Sequence, residues 1–337
     1  MIDLNLLKRL CLATGISGDE ENIRKIILSQ IEGYVEEVNI DNLGNILALK
    51  KGKSKPSKKL MISAHMDEVG LIATYITEEG YIGFSAVGGI DEKILLGKTV
   101  LIGERKISGV IGVKPVHLLT AEEKLSAIKI DDLYIDIGAK NKDQTLRYVS
   151  LGDFICFGSD FKVNGDIIMA KALDDRIGCM ILIDLIKSEL PFDVYFSFVV
   201  QEEIGLRGST VASYKVAPDS AIVVETTTAA DIHGNDDKVC SIGGGPVVPF
   251  MDRATVYDRD YYKIAFDLAK KHGLKIQTKT AIAGANDAGA IHKSRGGVKT
   301  IAISVPCRYL HSAYSLANIE DIENAEKLVL KLIGSIF

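Results

Sequence analysis

The chain has 337 residues, a length that favours about two domains and supplies ample apolar material for a core. Its 47% hydrophobic and 25% charged content is ordinary for a soluble globular protein, and a net charge of -5 with pI near 5.8 gives no electrostatic reason to expect nucleic acid or an anionic membrane as partner. No apolar stretch reaches the roughly 18 residues a membrane helix needs, and the N-terminus lacks the long apolar core and cleavage site of a signal peptide, so the cytoplasm is the expected compartment.

Leu4 to Leu12 and Glu20 to Val35 carry apolar residues at helical spacing, the second starting near Ser17-Gly18-Asp19 with an acidic first turn. Asp41 to Asn45 reads as a tight turn between strands at Glu36 to Ile40 and Ile46 to Leu49. The basic run Lys51 to Lys59 (KGKSKPSKK) reads as a solvated hairpin tip, and a strand over Lys59 to Ala64 follows. From Leu71 to Phe161 the texture changes. Short β-rich runs at Leu71 to Ile76, Thr99 to Ile102, Gly109 to Val113 and Leu133 to Ile137 alternate with Gly-bearing turns, as in a small inserted β domain.

Asp174 to Leu190 is a helical stretch whose Ile177, Met180, Ile181, Ile183, Leu185 and Ile186 form a wide apolar surface. Val194 to Val200, Ser220 to Val224 and Thr300 to Val305 are short apolar runs of the kind expected for strands covered on both faces. Helices over Asp260 to His272 and Ile319 to Ile333 complete the rhythm. The expected fold class is α/β: a mixed-sheet domain with helices on both faces (residues 1–70 and 166–337), interrupted by a smaller β-rich domain (residues 71–165). The five cysteines, Cys11, Cys156, Cys179, Cys240 and Cys307, are scattered without a C-x-x-C pair and read as buried thiols of a reducing compartment.

Four of these strands end in residues a divalent metal would want. Leu60 to Ala64 leads to His65 and Asp67, which share one side of an extended chain. Val194 to Val200 leads to Glu202-Glu203, Ser220 to Val224 to Glu225, and Thr300 to Val305 to a loop bearing His311. In open α/β sheets, sites lie outside the carboxyl ends of the strands. A fifth element, Ala172-Leu173-Asp174-Asp175-Arg176, opens a helix with an aspartate pair, one member of which suits helix capping.

Imidazole and carboxylate donors suit two borderline-hard dications such as zinc or cobalt, and two such ions need a bridging carboxylate. The inventory permits a near-symmetric assignment: Asp174 bridges, His65 and Glu225 complete one metal, and Glu203 and His311 the other. Glu202 then stays off the metal as general base, and Asp67 holds the imidazole of His65 in its ligating tautomer.

The runs AHMDEVG, ALDDR, QEEIGLRGS, VVETTTAAD, GANDAGAIH and RYLHS occur in one chain at compatible intervals and cover essentially all of it. Together they resemble the self-compartmentalising tetrahedral metalloaminopeptidases, relatives of glutamyl and deblocking aminopeptidases. The resemblance implies a catalytic α/β domain interrupted by a β-rich dimerisation domain, a dinuclear cobalt or zinc centre, and dimers assembling into a dodecamer. It puts metal ligands at His65, Asp174, Glu203, Glu225 and His311 and the base at Glu202. Many relatives have aspartate where this chain has Glu225, whose longer arm could shift the metal.

Other polar residues invite blander readings. His117 suits a structural or interface role, and His272 a helix C-terminal partner. His233 and His292 fall in loops bordering the cleft. Asp231 rivals Glu225 as a ligand. Gly243-Gly244-Gly245 lacks the Lys-Ser/Thr of a phosphate loop and reads as a flexible wall of the specificity pocket, while Gly284 to Gly289 line the site with Asp287 as a polar contact. The function expected is removal of N-terminal residues from short peptides. The alternatives are a related dinuclear deacylase or carboxypeptidase and a non-enzymatic assembly protein. A sugar-cleaving enzyme finds no support, since the chain has no Trp and no row of stacking aromatics.

Overall fold

The protein is described by a computed structural model that covers residues 2–122, 126–235 and 239–336. The chain opens with helices α1 (Leu4–Leu12) and α2 (Glu21–Ile31) and the hairpin β1 (Glu37–Ile40) and β2 (Ile46–Lys50), then enters the sheet centre at β3 (Leu60–His65). The Asp3 carboxylate caps α1 by accepting from the backbone N–H of Asn5 and Leu6, a contact worth about 1 kcal/mol.

A closed barrel follows, made of β4 (Gly70–Ile76), β5 (Ile82–Val87), β6 (Thr99–Ile102), β7 (Ile107–Val113), β8 (Leu133–Asp136) and, after the short helix α3 (Lys142–Leu146), β9 (Phe154–Phe157). All its pairings are antiparallel. Alternate inward residues such as Leu71, Ala73, Ile82, Phe84, Val100, Ile102 and Ile135 give it a core of its own, so it does not borrow the main one.

The chain returns through β10 (Lys162–Asn164), β11 (Ile167–Ala170) and helix α4 (Leu173–Lys187) to β12 (Val194–Val199), α5 (Arg207–Val216), β13 (Ser220–Thr228) and β14 (Val247–Pro249). Helix α6 (Arg259–His272), β15 (Gln277–Lys279), α7 (Ala288–Ile291), β16 (Lys299–Arg308), β17 (Ser315–Asn318) and α8 (Ile319–Ile333) finish the fold. Among the described residues the main sheet has eleven strands, with the spine β1-β2-β12-β3-β13-β16-β17-β11-β10. The four central strands β12, β3, β13 and β16 run parallel to one another, and the flanks are antiparallel.

Both faces of the sheet are covered, which explains the unbroken apolar runs of its central strands. Successive residues go to different cores: Ile62, Ile222 and Val224 pack under α1, α2, α4 and α8, whereas Met61, Ala221 and Val223 pack under α5 and α7. Helix α4 lies between the sheet and other helices. Its Ile177, Met180, Ile181, Ile183, Leu185 and Ile186 are all buried, each worth about 1.5–3 kcal/mol relative to exposure. The expected α/β class, with a mixed sheet and a small separate β unit, is the observed one.

Three expectations need correction. Lys51–Lys59 is not a hairpin tip, because β12 lies between β2 and β3; the run crosses the end of β12, where Gly52 N–H donates to Asp193 and Lys53 N–H to the Leu190 carbonyl. Strand β13 continues past Val224 to Thr228, so Glu225 sits within the strand rather than beyond it. Regular helical geometry in α4 begins only after Asp174 (φ -82, ψ 108) and Asp175 (φ -120, ψ 48).

Candidate active site

Strand β3 delivers His65 as its last residue, nearly inaccessible, at the carboxyl end of the parallel strands. Its Nδ1–H donates to the backbone carbonyl of Asp67 at 3.1 Å, and its Nε2 faces Asp174 Oδ1 at 3.3 Å and Glu225 Oε2 at 3.7 Å. The Asp67 carboxylate has a wider task than orienting His65. One oxygen accepts from the N–H of Glu202, and the other from the N–H of Glu203 and the Ser17 hydroxyl at 2.6 Å. Burial opposes its charge, but these donors and His65 hold its pKa below the usual range.

The aspartate pair divides its work. Asp175 accepts from Gly178 N–H, three residues on, and from His65 N–H, so it caps α4 and anchors the end of β3. Asp174 is turned into the cleft. Its Oδ1 faces His65 Nε2, and its Oδ2 lies 3.6 Å from His311 Nε2, which is itself 3.3 Å from Glu203 Oε2. His65, Asp174 and Glu225 form one compact donor group and Asp174, Glu203 and His311 a second, with Asp174 common to both. Glu202 belongs to neither, although it lines the same cavity.

Backbone bends aim these groups. Ala172, Gln201 and His311 have φ of 53, 57 and 59, a left-handed conformation that non-glycine residues adopt at a cost of about 1–2 kcal/mol and that clusters at functional sites. Each lies at or within two residues of a proposed ligand.

Burial raises the pKa of Glu202 and Glu225 well above the carboxylate range, and neighbouring carboxylates add to it. Asp174 is buried too, but hydrogen bonds to His311 and His65 pull it well down. Oε1 of Glu225 is buried without a hydrogen-bond partner. The two imidazole Nε2 atoms thus face a crowd of buried carboxylate oxygens in a place largely removed from water. So many carboxylates repel one another there unless positive charge lies among them; with no cation bound the imidazoles carry it, since against the effect of burial the carboxylates raise the pKa of His65 well above its ordinary value and that of His311 to about 9. Two divalent cations fit this donor set, with one imidazole and one carboxylate for each and a shared carboxylate between.

A second layer escapes periodicity altogether. Glu68, Lys171 and Arg176 are buried together, with Lys171 Nζ 2.6 Å and Arg176 Nη2 3.3 Å from Glu68 Oε1. Lys171 also donates to the Ala13 carbonyl, and Arg176 to those of Leu10 and Gly15, which ties the N-terminal segment to both ends of the Asp174 loop. Glu20 accepts from the N–H of Gly18 and of Gln201, linking the same segment to the Glu202 loop. The clue available in sequence was charge placed directly beside two motif histidine and aspartate runs.

The residues set aside are accounted for. His117 is exposed on the barrel, and His272 ends α6 before its C-cap Gly273. His233 and His292 are absent from the described lining of the cleft; His292 borders a separate surface hollow with Asp219 and Lys299. Asp231 is no ligand, since Arg308 holds it at 2.6 and 2.8 Å and Ile242 N–H donates to it. The glycine run is not a flexible wall of the cavity: Gly243 and Gly245 N–H donate to Asp321 at the start of α8, and Gln277 donates to the Gly245 carbonyl. Gly284, Ala285 and Asn286 do line the cavity, whereas Asp287 is fully buried beside it.

The sequence pattern of the M42 glutamyl aminopeptidase family matches residues 44–328. The chain belongs to that family. A putative aminopeptidase of Acetivibrio thermocellus is 38% identical over 98% of both chains. The lysyl aminopeptidase of Pyrococcus furiosus is 32% identical (99% of this chain, 97% of its own), and the glutamyl aminopeptidase of Lactococcus lactis 30% (95% and 92%). Among solved structures, a TET aminopeptidase from a marine sediment archaeon of the Thaumarchaeota superimposes with TM-score 0.94 at 35% identity, covering 98% of this chain and 95% of that one. The TET1 peptidase of Pyrococcus horikoshii, which can assemble into a tetrahedron or a large octahedral shell, gives 0.85 at 35% identity and 98% coverage of each chain. The protein is a metal-dependent aminopeptidase.

Proposed function

We propose that this M42 aminopeptidase removes residues one at a time from the N-terminus of short peptides, with Glu202 as general base and two zinc or cobalt ions held around Asp174. His65 and Glu225 hold one ion, and Glu203 and His311 the other. The observation that carries this reading is that the Nε2 atoms of His65 and His311 face opposite oxygens of one carboxylate. When bound, the ions supply Lewis acidity toward the attacking water and the scissile carbonyl. Glu202, outside both donor groups and with raised proton affinity, takes the proton of that water and delivers it to the leaving amine. Asp67 fixes the backbone from which Glu202 and Glu203 project. The concentration of carboxylates favours a cationic α-amine near the reacting bond.

Residues 1–70 and 166–337 form the catalytic unit in this reading, joined by β10 from the stretch between them, and the barrel within residues 71–165 is the dimerisation unit. Exposed Val110, Val116, Leu118 and Leu151 on the latter support subunit contact, and the tetrahedron that the Pyrococcus horikoshii relative can form supports a dodecamer. No helix among the described residues is long and apolar enough to cross a membrane, in keeping with a cytoplasmic enzyme.

The test pairs metal removal with substrate chemistry. Chelation abolishes turnover of a free-amine tetrapeptide, and zinc or cobalt restores it, with tripeptide appearing before dipeptide. Faster cleavage of the N-acetylated peptide, or first release of the C-terminal residue, would move the assignment to a deacylase or carboxypeptidase.

A further inference from the structure

Consecutive backbone N–H groups from Val200 to Glu203 lead from the end of β12 into the loop that carries Glu202 and Glu203, and each is taken by a side chain from an earlier part of the chain. Val200 N–H donates to Asn45 Oδ1 at 2.9 Å, Gln201 N–H to Glu20 at 3.2 Å, and those of Glu202 and Glu203 to the two oxygens of Asp67 at 3.0 and 3.1 Å. Within this row Gln201 is left-handed (φ 57), a conformation that persists only where its surroundings impose it. The loop therefore depends on what grips it.

Asn45 grips it at two points. It is fully buried directly before β2, one step beyond the Ile46–Phe198 pair that ends the β2–β12 ladder. With Oδ1 committed to Val200 N–H, its Nδ2 donates to the Gly208 carbonyl at 3.0 Å and to Asp41 Oδ2 at 2.7 Å, so the oxygen and both amide hydrogens are used. Val200 and Gly208 are the two ends of the loop, where Gly208 N–H donates to the Val200 carbonyl at 3.0 Å. The Asn45 amide lies across this neck and closes it. The fit leaves no room for a side chain at Gly208: a Cβ there would stand 2.3 Å from the Val200 carbonyl oxygen and 2.4 Å from Asn45 Oδ1. The turn over residues 41–45 does not need this amide, because Asp41 Oδ1 already accepts from the N–H of Leu43, Gly44 and Asn45.

We propose that Asn45 is a positioning residue for the reaction, holding the neck of the loop over residues 200–208 so that Glu202 reaches the attacking water and Glu203 its metal. The proposal rests on the roles given to the two glutamates above. Asn45 is not among the residues that line the cavity, and it acts through the backbone of the loop alone. A general base works only within hydrogen-bond reach of the proton it takes, so a small shift of this loop is felt in kcat, while substrate contacts elsewhere in the cavity persist.

Asn45→Asp keeps the shape and the acceptor for Val200 but sets a carboxylate against the Gly208 carbonyl and Asp41. With zinc or cobalt in excess, kcat on a free-amine tetrapeptide is expected to fall about 10- to 100-fold with KM near the parent's. Amide hydrogen exchange over residues 200–208 is expected to quicken while that of β3 and β13 stays parental. Adding Asp41→Asn to Asn45→Asp restores a donor–acceptor pair within the turn but not the donor to Gly208, so kcat should stay low. Recovery of parental kcat in that double variant would show that Asn45 serves the turn alone and would overturn the proposal. Unprotected exchange of the Val200 amide in the parent, a measurement that needs no variant, would overturn it as well. Parental kcat in Asn45→Asp beside an impaired Glu202→Gln overturns the proposal and leaves the reading of Glu202 intact, whereas parental kcat in Glu202→Gln overturns that reading and the proposal with it.

Discussion

The backbone carbonyl of Gly89, in the loop after β5 of the barrel, accepts a 2.7 Å hydrogen bond from Nδ1–H of His311, a residue 222 positions away in sequence. That bond fixes the ring so that Nε2 points at Asp174 and Glu203. The inserted barrel therefore orients a proposed ligand without supplying one.

Gly88 carries this contact into a mutational test. It has φ +88, and a Cβ there would stand 2.8 Å from Val69 Cγ1 and 3.4 Å from Glu203 Cβ. Gly88→Ala is expected to displace the loop and weaken metal binding at the Glu203–His311 side, reducing metal content from two per chain toward one. Elemental analysis after dialysis at graded free zinc checks this; parental stoichiometry and affinity would refute it.

Glu202→Gln is expected to keep the fold and the metal content while kcat falls about 10²–10⁴-fold. Stopped assays run alongside metal analysis distinguish the roles of the two adjacent glutamates. Loss of metal instead would exchange the tasks given to Glu202 and Glu203.

Glu68→Gln leaves Lys171 and Arg176 buried at 3% and 0% side-chain exposure without their carboxylate. Removing one partner of such a cluster costs about 3–5 kcal/mol. Thermal unfolding at fixed metal concentration should show a drop of several degrees, and an unchanged midpoint would mean that the backbone carbonyls alone hold the two cations.

Glu20 gives a pH dependence with a definite sign. Burial raises its pKa to about 7, against a reference value of 4.5, so the folded state holds this proton more tightly than the unfolded chain. Its contribution to stability is therefore lost as pH rises from about 4.5 to 7, by an amount on the order of 1–3 kcal/mol. Glu20→Gln keeps an acceptor for Gly18 and Gln201 and removes the titration. The variant is expected to match the parent near pH 5 and to exceed it at pH 8. A variant that loses more stability at pH 8 than at pH 5 would contradict this.

The sequence already carried the residues that meet around Asp174, because each follows an apolar run whose strand end could be read, and parallel strands bring such ends together. Helices at Leu4–Leu12 and Ile319–Ile333 were legible for a similar reason: an amphipathic period with a capping residue in front. What stayed hidden were contacts made by backbone atoms across long separations. Nothing in the spacing of Gly88-Gly89 announces His311, and nothing in Ser17 announces Asp67. The cluster of Glu68, Lys171 and Arg176 was equally opaque, since charged residues normally face water and their burial follows from tertiary docking of the N-terminal segment. The reach of β13 through Glu225 was missed because the apolar run stops at Val224, while the pairing of residues 225–228 with β16 leaves no mark in the sequence.

The parallel run β12-β3-β13-β16 acts as a ruler. Adjacent strands lie about 4.8 Å apart, so side chains leaving their ends are spaced by the ladder itself rather than by loop conformation. The cavity wall that includes Gly284, Ala285 and Asn286 hangs from this ruler more lightly, through β14, whose register with β16 is one residue pair, Val247 with Ser304. Reaction centre and cavity wall can therefore drift at different rates: substitutions along β15 and residues 281–286 can reshape the cavity while the ligand spacing stays set by the sheet.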